Sequence, residues 1–267
     1  MRIGSLFSGI GGLELGLERA IPGAHTVFQV EQNPYARAVL AKHWPKAQRY
    51  EDVRQVGAHN LPPVDMCIGG FPCQDLSVAG KRAGINGERS GLWSEYARII
   101  GELRPRYVVV ENVSALLSGG MGRVLGDLAA CGYDAIWDCI PAAAVGAPHR
   151  RDRLFIVAYS YGLPMPTMRG QCEVAQGKGL ERGTIGRGRD GDAERKTPIR
   201  SSRQVARTFR RAITESREPW APEHSMGRVV DGVPRRVDRL RCLGNAVVPQ
   251  VAEVVGRVVL QLEEGSA

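Results

Sequence analysis

The sequence lacks closely paired cysteines, and it has neither a long apolar run nor an excess of acidic residues. Its six cysteines stand at positions 67, 73, 131, 139, 172 and 242, and no two of them form a CxxC pair. This spacing suits neither a zinc site nor a small disulfide-bonded scaffold. We therefore expect free thiols in a reducing cytoplasm and no bound metal. The amino terminus has no apolar signal segment and no run reaches membrane-spanning length, so we expect no membrane association.

Aromatic residues are scarce and positive charge is in excess. Only 6% of the 267 residues are aromatic, but 43% are hydrophobic, which is enough for a sizeable core. The formal net charge is +8 at pH 7. A chain this basic either binds a polyanion or is simply kept soluble by its charge, and composition leaves both interpretations open.

The first 158 residues alternate short β-type runs with helical patterns. Strands are predicted over residues 3–7, 26–30, 64–68 and 107–110. The alternation predicts an α/β fold with a Rossmann-like, mainly parallel sheet covered by helices. Residues 135–140 and 154–158 are expected to pair at the sheet edge. Near the carboxyl end, apolar residues at helical spacing predict a helix that packs back onto this domain: Val251, Val254, Val255, Val258, Val259 and Leu262.

Between these parts lies a segment of different composition. From Tyr159 to Trp220, 13 Lys or Arg stand against 7 Asp or Glu, in a stretch rich in Gly, Ser and Thr. Such a segment is either a disordered linker or a separate basic module that binds nucleic acid. We divide the chain into a first catalytic part (residues 1–158), a smaller inserted domain (159–242) and a carboxyl-terminal part that returns to the first (243–267).

A thiol, an acid and two guanidinium groups each lie next to a predicted strand. Cys73 follows Gly69, Gly70 and Pro72, and Glu111 ends a second apolar run. Further along, Arg151 and Arg153 are two positions apart. A nucleophile, an acid and paired cations on separate loops indicate covalent chemistry on an anionic substrate. The alternatives are a buried structural thiol, an acid in a strand-end salt bridge and a surface basic pair.

A glycine-containing loop joins the first strand to the first helix. It consists of Phe7, Ser8, Gly9, Ile10, Gly11 and Gly12. Glycines let a ligand approach the backbone, and a helix amino terminus offers free amides to a carboxylate or phosphate. Glu31 stands 20 positions after Gly11, where an acid can accept ribose hydroxyls. Position 14 is Glu rather than the glycine of a dinucleotide fingerprint, which favours a smaller adenosyl ligand. Asp52 either contacts the adenine amino group or caps a helix.

Together these motifs resemble the DNA (cytosine-5)-methyltransferase family. The glycine loop looks like its S-adenosylmethionine loop, residues 70–74 (GFPCQ) like its catalytic motif and residues 111–113 (ENV) like its acidic motif. Residues 151–153 match its RxR element, with His149 where glutamine is usual, and residues 243–247 (LGNAV) match its GN motif. The resemblance covers about residues 1–158 and 236–260 and implies the fold of S-adenosylmethionine-dependent methyltransferases. It also implies a role in DNA methylation, for example within a restriction-modification system.

The resemblance assigns roles by position. Cys73 becomes the nucleophile and Glu111 the acid that acts on the cytosine ring. Arg153 is expected to touch the target base or a nearby phosphate, and Arg151 to support Cys73 or Glu111. Further cofactor contacts are implied for Val53, Pro72, Leu92, Asn245 and Ala246, although Leu92 also belongs to an apolar helical stripe and is equally explained as a core residue.

The expected substrate is double-stranded DNA, bound by a monomer with a flipped-out cytosine. Candidate DNA contacts are Lys81, Arg82, Arg200, Arg203 and Arg207. The expected methyl donor is S-adenosylmethionine, with S-adenosylhomocysteine as product. Two other interpretations stay open: an RNA cytosine-5 methyltransferase on the same scaffold, and a catalytically silent DNA-binding protein.

Overall fold

The computed structural model describes residues 1–72, 92–160, 202–215 and 236–264. Its strands are β1 (Arg2–Leu6), β2 (His25–Val30), β3 (Gln48–Tyr50), β4 (Met66–Gly69), β5 (Tyr107–Val113), β6 (Tyr133–Ile140) and β7 (Arg153–Ser160). Its helices are α1 (Gly12–Ala20), α2 (Pro34–His43), α3 (Leu92–Leu103), α4 (Leu116–Gly119), α5 (Met121–Ala130), α6 (Ser202–Glu215), α7 (Arg236–Asn245) and α8 (Pro249–Glu264). Short 3-10 turns span Val53–Gln55 and Ala142–Val145.

The strands form one seven-stranded sheet in the order β3-β2-β1-β4-β5-β7-β6. Neighbours from β3 to β5 run parallel, and β7 runs antiparallel to both β5 and β6. The predicted Rossmann-like sheet is thereby confirmed, and so is the pairing of its last two strands. The chain order reverses between β1 and β4, and in open α/β sheets such a reversal leaves a crevice beyond the carboxyl ends of the strands. The loops that follow β1, β4 and β5 therefore meet at this crevice.

The sheet is buried on both faces because its strands alternate between two apolar layers. On β5, Val108 and Val110 join the layer covered by α3 and α5, and Tyr107 and Val109 join the layer covered by α1 and α8. Side chains that follow one another along a strand point to opposite faces, so a strand buried on both sides is continuously apolar. The run Tyr107–Val110 is such a strand.

Helix α8 packs against α1, as its valine stripe predicts. All six predicted residues of the stripe are buried, and Gly16 of α1 lies against the Pro249 carbonyl and Ala252. Residues 237–264 are long and apolar enough, by composition, to cross a membrane, which the sequence analysis did not anticipate. In α8 the apolar residues are explained by this packing, because they cover α1 and the sheet.

Helix α6, which lies within the range 159–242, packs onto the same layer. Phe209 and Ala212 are fully buried, and the helix contacts α8 and β6. Burying a phenylalanine side chain contributes about 1.5–3 kcal/mol, so this contact holds α6 on the α/β domain. The described part of the predicted inserted domain is therefore joined to the sheet by an apolar contact.

Candidate active site

The loop between β1 and α1 is held in a shape that few residues adopt. Phe7, Gly9 and Gly11 all have positive φ angles, of 55°, 56° and 85°. This region is strained for phenylalanine and easy for glycine. The Ser8 amide donates to the Val30 carbonyl at 3.1 Å, and the Ser8 hydroxyl donates to Ser5 Oγ at 2.9 Å. A β-carbon at Gly9 would meet nothing within 4 Å, so the loop backbone is open to a ligand there.

Glu31 links the glycine loop to the second strand and helix. Its carboxylate accepts the Gly9 amide at 2.8 Å and the Asn33 amide at 2.8 Å. Asn33 in turn caps α2, where Pro34 fits the first helical position. The acid predicted for ribose recognition therefore stands beside the glycine loop, with two backbone amides fixing its orientation.

Asp52 takes the capping role that the sequence left open. Its carboxylate accepts the Arg54 amide at 3.0 Å at the start of the Val53–Gln55 turn and pairs with the Arg54 guanidinium at 2.7 Å. The side-chain hydrogen bond to Arg54 is the main reason that the pKa of Asp52 lies below its usual value. Val53, a predicted cofactor contact, is buried in the apolar core. Contact between Asp52 and an adenine ring remains a prediction.

Glu111 and Arg153 form an ion pair at the carboxyl end of β5. Arg153 Nε lies 3.0 Å from Glu111 Oε1, and the two side chains are 23% and 13% exposed. Burial raises the pKa of Glu111 to about 7, against the opposing effect of Arg153 and Arg151. A carboxyl group with this pKa holds a proton part of the time at neutral pH, which a general acid requires.

Arg151 holds the carboxyl-terminal segment in place. Its guanidinium donates to the Gly244 and Ala246 carbonyls, both at 2.7 Å, and its own backbone has a positive φ of 40°. From the resemblance, Arg151 is expected to support Cys73 or Glu111. In the structure the direct contact with Glu111 belongs to Arg153, because the turn at Arg151 aims its side chain at residues 244–246 instead.

Asn112 joins the acidic strand to the loop that precedes Cys73. Its buried side chain donates to the Phe71 carbonyl at 3.2 Å. Gly70 approaches Glu111 so closely that a β-carbon there would lie 2.5 Å from Oε2. Sequence reasoning did not assign a role to Asn112, although an amide at the end of an apolar run is a usable signal. Cys73 itself lies outside the described residues, as do Lys81, Arg82 and Arg200.

One pocket at the crevice, called the glycine-loop pocket below, is lined by many residues of the predicted site. Six predicted residues line it: Phe7, Ser8, Gly9, Gly12, Glu111 and Asn245. The loop at residues 245–247 reaches it because Gly12 leaves room for the Val247 carbonyl. Predicted residues that are described but do not line this pocket are Ile10, Gly11, Glu31, Asp52, Val53, Pro72, Leu92, Arg151, Arg153 and Ala246. Leu92 begins α3 and packs at the edge of the apolar core.

The pocket suits the amino-acid end of an adenosyl ligand. It combines an open glycine backbone, the amino terminus of α1 and one buried acid, Glu14, that has no hydrogen-bond partner within the described ranges. In the sequence, Glu14 stands out only as a departure from a glycine pattern and not as a site residue, because an acid in the first turn of a helix is usually exposed. In the part of the chain that the structure describes, no cluster of His, Cys, Asp or Glu has the arrangement of a metal site.

The candidate DNA contacts on α6 are only partly described. Arg207 is exposed on this helix, and Arg203 lies one turn earlier, where the side chain is outside the described set. Both stay predictions.

Comparison with known proteins places the chain among methyltransferases. A family model described as C-5 cytosine-specific DNA methylase matches residues 1–222. Type II methyltransferase M2.BsuMI of Bacillus subtilis is 37% identical over 166 residues, which cover 59% of this chain and 42% of that protein. Type II methyltransferase M.NgoBI of Neisseria gonorrhoeae is 34% identical over 163 residues, which cover 60% of this chain and 50% of that protein. The chain thus spans about half the length of these curated relatives.

Two solved structures share the fold over nearly the whole chain. The S. pombe Dnmt2 methyltransferase matches with a TM-score of 0.60 and 18% identity, covering 99% of both chains. The Entamoeba histolytica methyltransferase EhMeth matches with a TM-score of 0.62 and 14% identity, covering 98% of both chains. These likenesses establish the methyltransferase fold.

Proposed function

Because the chain belongs to the C-5 cytosine-specific DNA methylase family, we propose that it transfers a methyl group from S-adenosylmethionine to carbon 5 of cytosine in double-stranded DNA. The observation that carries the proposal is the partly buried ion pair of Glu111 and Arg153 at the edge of the glycine-loop pocket. It puts an acid of suitable pKa next to the expected donor site. The products are 5-methylcytosine and S-adenosylhomocysteine.

Cys73 starts the reaction because carbon 5 of cytosine is too weak a nucleophile on its own. The thiolate forms a bond to C6, and the ring electrons move to C5 as N3 gains a hydrogen bond or a proton. The methyl donor supplies an electrophilic methyl group on a sulfonium sulfur. Carbon 5 would take this group as the bond between the sulfonium sulfur and the methyl carbon breaks, which leaves S-adenosylhomocysteine. Carbon 5 would then lose its proton to a base, N3 would return its proton to Glu111, and the bond between the Cys73 sulfur and C6 would break to restore the thiolate. Support for this role of Cys73 comes from its place directly after Pro72.

Glu111 is the group that makes attack at C6 possible. Its proton goes to N3 of cytosine, or is shared with it, which stabilises the electron-rich ring that the thiolate creates. Arg153 pairs with one carboxylate oxygen, Oε1, and we assign the contact with the base to the other, Oε2. Asn112 holds the Phe71 carbonyl, two residues before Cys73, against β5.

The donor is held at the glycine loop in this proposal. Backbone amides at the start of α1 face its carboxylate, since a helix amino terminus attracts anions. Glu31 takes the ribose hydroxyls and Asp52 the adenine amino group. Other expected contacts come from the loop backbone, from Pro72 and from Asn245 and Ala246. Arg151 fixes residues 244–246, so it shapes the pocket without touching the donor.

The target base reaches Cys73 only if it leaves the DNA stack. Flipping costs a few kcal/mol, which phosphate and groove contacts offset. We assign these contacts to Lys81, Arg82 and Arg200, and to Arg203 and Arg207 of α6. The protein acts as a monomer in the cytoplasm, in contact with DNA.

A transfer assay with two polymers tests the proposal. The purified protein is incubated with tritiated S-adenosylmethionine and either double-stranded DNA or RNA of mixed sequence. Label should enter DNA at cytosine C5, and Cys73→Ser should abolish transfer. Label in RNA alone would establish the RNA methyltransferase instead, and DNA binding with no label in either polymer would establish a silent DNA-binding protein.

A further inference from the structure

Glu14 is a buried acid that the proposed chemistry does not use. Its side chain is fully buried in the first turn of α1, and neither carboxyl oxygen has a hydrogen-bond partner within the described ranges. Gln29, on the neighbouring strand β2, is also fully buried with its side-chain amide unpartnered there. Buried polar groups are almost always paired, since leaving one unpaired costs about 1–3 kcal/mol. Glu14 and Gln29 stand beside each other, together with Ser5 and Ser8, and a charged ligand group in the pocket would supply the hydrogen-bond partner that Glu14 lacks.

Glu14 also lines the glycine-loop pocket. The groups that face it are uncharged: Ser5 on β1, Ser8 in the loop and Gln29 on β2. The next acid along α1, Glu18, turns to the Thr26 amide and hydroxyl and to the Trp44 indole. Among the residues that the structure describes, Glu14 therefore has polar neighbours and no cation, and burial raises its pKa to about 7.

The other acid of the pocket is neutralised by the protein itself. Glu111 pairs with Arg153, and Arg151 adds a second positive charge nearby. A bound group next to Glu14 would need to bring its own positive charge. An α-amino acid does so, because its ammonium and carboxylate are attached to one carbon atom. A carboxylate at the amino terminus of α1 puts the ammonium within reach of a first-turn side chain, which is where Glu14 stands.

We propose that Glu14 is a ligand of the α-ammonium group of the methyl donor, and that it selects ligands with an amino-acid end. The inference rests on the proposed function, because it concerns the same pocket. Gln29 and Ser5 lie beside the carboxylate on the sheet side. In this inference Glu14 would contact the ammonium group and not the reacting sulfonium.

Isothermal titration calorimetry with three ligands tests this role of Glu14 without any turnover. S-adenosylmethionine and S-adenosylhomocysteine both carry the ammonium, and 5′-methylthioadenosine lacks the amino-acid end. Glu14→Gln should lower the affinity for S-adenosylmethionine and for S-adenosylhomocysteine by a similar factor, about 10- to 100-fold, because hydrogen bonds between charged groups are the strong ones. It should leave the affinity for 5′-methylthioadenosine unchanged. Glu18→Gln, which removes a carboxylate one turn further along α1, is the matched control and should change none of the three.

Each other outcome overturns the inference. Equal weakening of all three ligands means that Glu14 only shapes the loop, and no weakening means that it is no ligand. Weakening of S-adenosylmethionine alone assigns Glu14 to the sulfonium. If the wild-type protein binds none of the three, the proposed function itself fails, which is a separate result.

Proton release gives a second readout. A protonated Glu14 that meets the ammonium loses its proton to the buffer, because a nearby positive charge lowers a carboxyl pKa. At pH 7, binding of S-adenosylhomocysteine should therefore release about half a proton through Glu14, measured as the difference between buffers of different ionisation enthalpy. Glu14→Gln should abolish this part of the release. Identical release by the variant and the wild type would contradict the inference.

Discussion

Replacing Glu111 with glutamine separates proton donation from hydrogen bonding at the target ring. Glutamine has nearly the same shape and can still donate an N–H to N3 of cytosine, but it has no proton to transfer. The Glu111 carboxyl has a pKa of about 7, so about half of the molecules hold the proton at pH 7. At the ordinary value of 4.5 the protonated fraction would be only about 0.3%. Burial thus increases the reactive form by about two orders of magnitude.

The rate should show this dependence directly. Glu111→Gln should lower the single-turnover rate of methyl transfer by about 10²- to 10⁴-fold, the usual contribution of a general acid. In the wild type the rate should fall as the pH rises through about 7, since the proton needed for transfer is lost there. The variant should lose this alkaline limb while keeping any limb that reports the Cys73 thiolate.

Single-turnover transfer at saturating DNA, measured from pH 5.5 to 9, is the appropriate assay. Glu263→Gln is the matched control, because Glu263 pairs with Arg106 at the opposite end of β5. It should leave the rate and its pH profile unchanged. An unchanged alkaline limb in Glu111→Gln would refute the assignment of Glu111 as the acid.

Further predictions concern packing and positioning. Gly16→Ala should destabilise the fold by about 1–3 kcal/mol, because the new methyl group would overlap the Pro249 carbonyl. Gly126→Ala, on the open face of α5, should stabilise the fold by about 0.5–1 kcal/mol. Urea unfolding of the two variants measures both changes. Phe209→Ala should lower the free energy of unfolding by about 3–5 kcal/mol in the same assay, because α6 packs on the α/β domain through this side chain. A negligible change would mean that α6 does not belong to the cooperative core of that domain. Arg151→Ala should weaken the binding of S-adenosylhomocysteine, because it removes the hydrogen bonds that hold residues 244–246. Unchanged affinity would mean that Arg151 does not position this segment. Without ligand, the free energy of unfolding of Glu14→Gln should rise relative to that of the wild type as the pH rises from 4.5 to about 7, because the buried acid favours the folded state only while it is protonated. The difference should reach on the order of 3 kcal/mol. A constant difference across this pH range would contradict the raised pKa of Glu14.

The sheet and its C-terminal cover were predictable because their signals are local. Uninterrupted apolar runs such as Tyr107–Val110 identify strands buried on both faces, and the valine stripe of α8 identifies one helix face. The meeting of the Gly9 loop with Glu31 and Glu111 also follows from topology, since parallel strands end at one edge of the sheet.

The remaining contacts depend on tertiary packing that spacing cannot reveal. Glu14 was noted only as a departure from a glycine pattern, and its burial results from the positions of β1 and β2 beside α1. The roles of Arg151 and Arg153 depend on a positive φ at Arg151 that turns the two side chains to different targets. The packing of α6 through Phe209 could not be predicted either, because the sequence around Phe209 is basic and polar.

Bisulfite sequencing of DNA from a methylation-free host that expresses this chain measures cytosine methylation in cells. Cytosines at one recurring sequence should be protected from conversion, and no cytosine should be protected in a host that expresses Cys73→Ser. Complete conversion in both hosts, with the protein folded and abundant, would contradict the proposed function.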